Sequence, residues 1–311
     1  EFSKMNYDIK IENNYEGKGR IELNRLSFLS SHVKLIAQKA LLLQLFGYSK
    51  ISLPGKLQKY LNIFLTSTTS NENETMLRLD SEYFKNLPIQ LELFRDTSTL
   101  NDLTPMALVI KTFNAALDES EDKNLLDEPI IDELLKFRKF FKTDTERILL
   151  SNRNTIPEVK FSGKEIDKIE NLYKTIPTPQ KTVINGIIDE MKFSRKQLVM
   201  LIADNQKIVV IPPSADFFGN IKDFFGKEIT ISGEAHFKPG GQLSFINLEN
   251  FNQPGTSDKF FSRKPSKISV QQQIAMQIKQ GKKPNPLDDI FGKWPGDETD
   301  EEFEQMLKDL D

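Results

Sequence analysis

Two histidines, His32 and His236, are the residues through which a hydrolase chemistry would have to run, because the chain has no cysteine. A histidine base needs a nucleophile beside it and a third group to orient it. His32 follows Ser30 and Ser31 inside a helical pattern, and His236 lies between Ala235 and Phe237 in a strand pattern. Neither sits in a motif that presents a serine to an imidazole, so both are expected to be structural. The absence of cysteine removes disulfides, thiolate metal sites and cysteine nucleophiles together, and no His-x-x-x-His pair offers a zinc site. The stretch GKGR at 17–20 is too short for a phosphate loop and lacks its hydroxyl, and no GxGxxG follows a strand. Asp288, Asp289, Asp297 and Glu298 are the densest carboxylates, but a magnesium site needs its ligands fixed on rigid elements. These four lie on a segment rich in Pro and Gly. No enzyme activity, cofactor or metal is therefore expected.

The elements around these residues are those of an α+β protein. The 311 residues suit about two domains, and 38% hydrophobic residues with 23 Phe can build cores for them. Residues 1–4 precede the first methionine and are set aside. YDIKIEN (7–13) alternates as a strand, and 22–47 carries Leu26, Leu29, Val33, Ile36, Ala40 and Leu43 at helical spacing up to Gly47. Residues 59–69 and 74–80 read as a β-hairpin. Helices are expected at 104–120, with Thr104 as cap and Pro105 in the first turn, at 128–141, and at 162–176 from Ser162; RILLSN at 147–152 reads as a strand. The prolines of IPTPQ (176–180) end a mixed α+β domain at 5–176.

Residues 181–252 carry five strand patterns at 181–192, 195–204, 207–213, 227–237 and 241–251, with a short helix at 214–226 between the third and fourth. That order is the one expected of an OB-like barrel. Gly186 and Gly233 fall inside strands, where a small barrel needs close backbone approach. A linker follows at 253–268, then a polar helix and an acidic arm at 269–311.

The arm concentrates the charge. The chain is −3 overall, yet residues 287–311 hold ten carboxylates against Lys293 and Lys308, or −8, which leaves about +5 for the rest. Phe303, Met306, Leu307 and Leu310 fall at i, i+3, i+4 and i+7, behind a first turn of Asp300, Glu301 and Glu302 that suits a helix N-terminus. Leu287, Ile290, Phe291 and Trp294, the single tryptophan, form a second apolar cluster. A helix this short is marginal alone in water, so it implies a groove to lie in.

At these residues the chain resembles the C-terminal segments of bacterial antitoxins that partner PIN-domain ribonuclease toxins, in which Gly-x-Trp-x-Gly-Asp-Glu precedes a short acidic helix. The matching positions are Gly292, Trp294, Gly296, Asp297, Glu298, Phe303 and Leu307, over about 25 of the 311 residues. The resemblance implies an interaction protein that binds and neutralises a small nuclease toxin or other effector through Ile290, Phe291, Trp294, Asp297, Glu298, Phe303, Met306, Leu307 and Leu310. The chain is larger than such antitoxins and shows no ribbon–helix–helix element.

The alternative is a single-stranded nucleic-acid binder autoinhibited by its acidic tail. It would use Phe193, Arg195 and Lys196 at the first barrel hairpin, with His236, Phe237 and Lys238 at the last, because barrels of this kind bind through aromatic stacking and basic grooves. Residues 1–20 lack an apolar signal core and no apolar run reaches membrane-spanning length, so a cytoplasmic protein without membrane contact is expected.

Overall fold

The computed structural model describes residues 4–71, 74–85, 87, 98–152, 156–193 and 196–268, with 272 and 275. The partner-binding residues expected between Ile290 and Leu310, and Arg195 of the alternative set, lie outside the described residues.

The first lobe is a helical layer on an antiparallel sheet. Strand β1 (Lys4–Glu12) pairs with β3 (Glu74–Glu82) on one side and β4 (Arg147–Ser151) on the other, giving the order β2-β3-β1-β4-β5, with β2 at Ile63–Asn71 and β5 at Val159–Phe161. Alternation along β1 turns Tyr7, Ile9 and Ile11 into a core shared with Leu77, Leu79, Ile148 and Leu150. Helix α1 (Leu23–Phe46) buries Leu29, Val33, Ile36 and Ala40 against that core and stops at Gly47, whose φ of 74° is a left-handed cap.

The remaining helices are fixed by their caps. In α2 (Pro105–Leu117) the Thr104 side chain accepts from the Ala107 amide and proline opens the first turn. In α3 (Glu128–Leu135) Asp127 accepts from Ile130 N–H. In α4 (Gly163–Lys174) Ser162 and Glu165 form a reciprocal capping box. The helix expected through 141 ends at Leu135 and continues as a 3-10 turn to Phe140. The strand expected from 59 begins at Ile63, because 55–61 form a 3-10 segment that buries Leu57 and Leu61.

Beneath α1 lies a buried polar clamp. Arg25 donates from Nη2 to Glu146 Oε1 at 2.8 Å and from Nε to the Phe140 carbonyl at 3.1 Å, and its guanidinium sits 4.2 Å from the Phe140 ring centroid. Glu146 also accepts from the Tyr15 and Lys142 amides.

The second lobe is a closed barrel of β6 (Gln180–Lys192), β7 (Gln197–Leu201), β8 (Lys207–Ile211), β9 (Glu228–Phe237) and β10 (Leu243–Asn252). The closed order β10-β8-β7-β6-β9 makes the third and fifth barrel strands a parallel pair at Ile246/Val210, and α5 (Ala215–Ile221) joins β8 to β9. This arrangement is consistent with an OB-fold.

Ile184, Leu198, Met200, Val210, Ile231 and Phe237 fill the interior, with Phe218 and Ile221 of α5 closing it. The barrel is narrow enough that a Cβ on Gly233 would stand 2.1 Å from the Asn247 carbonyl oxygen, and one on Gly186 2.4 Å from that of Leu201. The β7–β8 turn places Asp204 and Asn205 at φ 59° and 54°, as a tight hairpin requires. Asp258 and Ser262, just beyond β10, stay on the barrel: Ser262 Oγ donates to the Asn185 carbonyl and Asp258 accepts from Thr230 Oγ1.

Candidate binding surfaces

Strand parity decides which barrel residues face outward, and the first lobe decides which of those meet solvent. On β7 and β8, Leu198, Met200, Ile208 and Val210 point in, so Gln197, Val199 and Val209 point out. These three are nevertheless only 2–3% exposed. Val209 and Phe245 pack with Tyr48 and Ile51 of the first lobe, and the Tyr48 and Phe245 ring centroids are 4.3 Å apart. Burial, with Asp127 and Glu128 nearby, holds the Tyr48 hydroxyl far above the usual phenol range.

Asp127, buried at the same seam, accepts from Ser49 N–H and Oγ–H at 2.8 and 2.7 Å. Burial raises its pKa, although Ser49 and the Lys238 ammonium pull the other way. Lys238 donates to the Asn124 carbonyl, and Gly240 passes so close to Asn124 that a Cβ would meet Oδ1 at 2.4 Å. The outer face of strands 2, 3 and 5, which barrels of this kind commonly present to oligonucleotides, is thus largely an intramolecular seam.

The residues expected to bind nucleic acid are dispersed by this packing. Phe193 is 67% exposed and contacts Phe218 edge-on, and Lys196 is exposed at the same hairpin. Phe237 faces the barrel core, in line with Ile229, Ile231 and Ala235. Lys238 is buried in the seam. His236 lies on the outer face and stacks on Phe245 with the rings 4.5 Å apart and 10° from parallel. His236 Nε2 lies 2.9 Å from Asn247 Nδ2 and 3.5 Å from Glu234 Oε2. Burial draws the pKa of this imidazole below its ordinary value despite the neighbouring Glu234. His32 is tied to Glu133 Oε1, whose second oxygen accepts from Lys136 at 3.0 Å. Burial of Glu133 opposes its ionisation, but these two partners bring its pKa below the usual carboxylate value.

Where the seam opens it leaves a cleft of about 690 Å³ between α1, α3, the 48–52 loop and the barrel. Its walls carry Lys39, Lys50, Lys136 and Lys196 from four separate elements, together with Glu128, Asp132 and Glu133 of α3 and Gln197 and His236 of the barrel. No local sequence motif announces it. A second hollow of about 460 Å³, mostly apolar, lies between α1 and the β2–β3 hairpin; Phe64 and Leu65 on its rim are 47% and 49% exposed.

Among the described residues, no group of three or more His, Asp or Glu is placed to hold a metal ion, and no helix is long and apolar enough to cross a membrane. Comparison with family models, curated proteins and solved structures returns no match.

Proposed function

We propose that the chain is a binding protein whose acidic C-terminal arm grips a protein partner, in the manner of the antitoxins that the arm resembles. The observation that carries this reading is the arm's sequence: Ile290, Phe291 and Trp294, followed by the Phe303, Met306, Leu307 and Leu310 stripe, are large apolar side chains on a segment of net charge −8. Aromatic anchors of this kind dominate the energetics of interfaces, while the surrounding carboxylates favour a basic partner and fast association. A small nuclease that binds RNA offers such a basic surface.

The two described lobes support the reading indirectly. Their buried carboxylates and histidines are engaged in caps and clamps, and the Phe64–Leu65 rim offers apolar surface suited to another protein. Nucleic-acid binding across the barrel is the second reading. It is weakened by the burial of Phe237 and Lys238.

The test is affinity capture from native lysate with the full chain, a chain ending at Pro286, and Trp294→Ala. A small ribonuclease held by the full chain, released by both changes and inhibited while bound, is the expected result. Equal capture by all three baits would refute the arm as the grip.

A further inference from the structure

Gln197 is an anomaly that the partner reading does not use. It is 3% exposed, it forms part of the cleft wall, and its Oε1 has no hydrogen-bond partner. A buried amide oxygen left unpaired is costly, and such groups are rare in folded proteins unless something else satisfies them. The position could have been filled by Leu or Met at lower cost, since the adjoining outward positions on β7 and β8 are Val199 and Val209.

The charges of the same cleft show what could satisfy it. Lys39, Lys50 and Lys196 line the cleft and none makes an ion pair among the described residues. Lys136 is committed to Glu133, and Glu133 to His32. Asp132 is exposed on the same wall and forms no ion pair. The cleft thus holds three ammonium groups from three elements and two carboxylates, Asp132 and Glu128, all outside any ion pair among the described residues, with one buried acceptor in its wall that has no donor. Its volume falls within the roughly 300–1,000 Å³ typical of small-molecule sites.

We propose that this cleft binds a phosphate monoester that carries hydroxyl or amino donors, with the phosphate held by Lys39, Lys50 and Lys196 and a donor on the remainder of the ligand directed to Gln197 Oε1. A phosphate dianion suits a cleft lined by three ammonium groups, and the sugar or base of a nucleotide supplies N–H and O–H donors that inorganic phosphate lacks. Asp132 accepts a further donor and disfavours a second phosphate on its side. The same chemistry occurs on a free sugar phosphate or nucleotide and at the 5′ end of a strand.

The test uses the full chain in thermal-shift and calorimetric titrations with inorganic phosphate, glucose 6-phosphate, AMP and a 5′-phosphorylated oligonucleotide. At least one of the three esters should bind more tightly than inorganic phosphate; preference for the oligonucleotide over AMP would assign the site to a strand end, and the reverse to a free metabolite. Lys50→Ala/Lys196→Ala should weaken that binding by about tenfold or more.

Gln197→Leu separates a binding role from a structural one. The unliganded variant should be as stable as wild type or more stable, since an unpaired polar group has been removed, while the ester's advantage over inorganic phosphate should disappear. No binding of any ester, binding unaffected by the double lysine substitution, or a Gln197→Leu protein that is less stable yet binds normally would each overturn the proposal.

Discussion

Replacing Glu146 by Gln tests whether the clamp under α1 is held by charge. Glu146 Oε1 accepts from Tyr15 N–H and Arg25 Nη2, both at 2.8 Å, and Oε2 accepts from Lys142 N–H at 2.6 Å. Every partner is a donor, so an amide nitrogen placed at either oxygen confronts an N–H directly. The change also takes from Arg25, only 5% exposed, its nearer carboxylate, leaving Glu16 at 3.5 Å.

Breaking a buried pair by removing one partner costs about 3–5 kcal/mol. At roughly 2–4 °C per kcal/mol for domains of 150–250 residues, the first lobe should lose about 6–20 °C in Tm. The pH dependence follows from the pKa. Burial alone would raise it, but the Tyr15 and Lys142 amides and the Arg25 guanidinium outweigh burial and hold it below the ordinary 4.5. The folded state therefore favours the ionised form. Its contribution is fully present above pH 4.5 and is lost as pH falls through the lower folded value. Urea unfolding followed by circular dichroism between pH 7 and pH 3 should show wild type losing this stability on acidification, with a shallower loss in Glu146→Gln. If the two proteins lie within 1 kcal/mol of each other at pH 7, or share the same acid limb, the clamp is not electrostatic.

Gly233→Ala should destabilise the barrel by at least about 1–3 kcal/mol, because its Cβ would require the Asn247 carbonyl to move away from 2.1 Å; chemical denaturation would measure the loss, and an unchanged midpoint would contradict the closed-barrel geometry. His236→Gln should flatten stability on the acidic side of pH 6.5: burial lowers the folded pKa from that value, so wild type is fully stabilised above it and loses stability as pH falls toward the folded value. Thermal melts from pH 7.5 to 5 would show whether the slope disappears. Tyr48→Ala, which empties the ring contact with Phe245, should cost roughly 3–5 kcal/mol and separate the unfolding of the lobes in calorimetry; one unchanged transition would mean that the seam does not couple them.

Features with a local physical cause were legible in the sequence. Thr104 before Pro105 and Ser162 before Glu165 supply the partners that a helix start lacks, so α2 and α4 begin where expected. The five barrel strands follow from alternation and from the turns at Asp204–Asn205 and Lys238–Gly241, which lie within a few residues of what they connect. Helix α3 ends before the expected residue 141 because Phe137 and Phe140 continue an apolar pattern that a 3-10 turn satisfies equally well. Strand β5 has three residues, too few for a period to register.

Phe237 could have been placed by parity, since Ile229, Ile231 and Ala235 precede it on the inward side of β9. The burial of Lys238 could not, because its cover comes from Asn124, 114 positions away. The cleft was invisible for the same reason: Lys39, Lys50 and Lys136 come together through the packing of the first lobe, and only the docking of the lobes adds Lys196.

That docking also limits what the barrel can do. An OB-like barrel with its outer face free would offer Val199, Val209 and Phe245 to a nucleic-acid strand, whereas here two of these side chains are packed with Tyr48 and Ile51 and the third is equally buried. Opening the face would mean exposing that apolar surface and breaking the Lys238–Asn124 hydrogen bond across the seam, leaving buried polar groups to find new partners. A strand could reach it only if its own contacts compensated for all of these losses. The cleft, in contrast, is open as the lobes stand. A ligand there touches both lobes, so its binding energy adds to the seam rather than competing with it, and such a ligand should stabilise the Tyr48→Ala protein by an amount that grows with the logarithm of its concentration above Kd. Because Tyr48 also lines the cleft, a titration in which ligand raises the Tm of wild type but not of Tyr48→Ala would mean that binding depends on this side chain or on the seam geometry it sets; equal shifts would mean that it depends on neither.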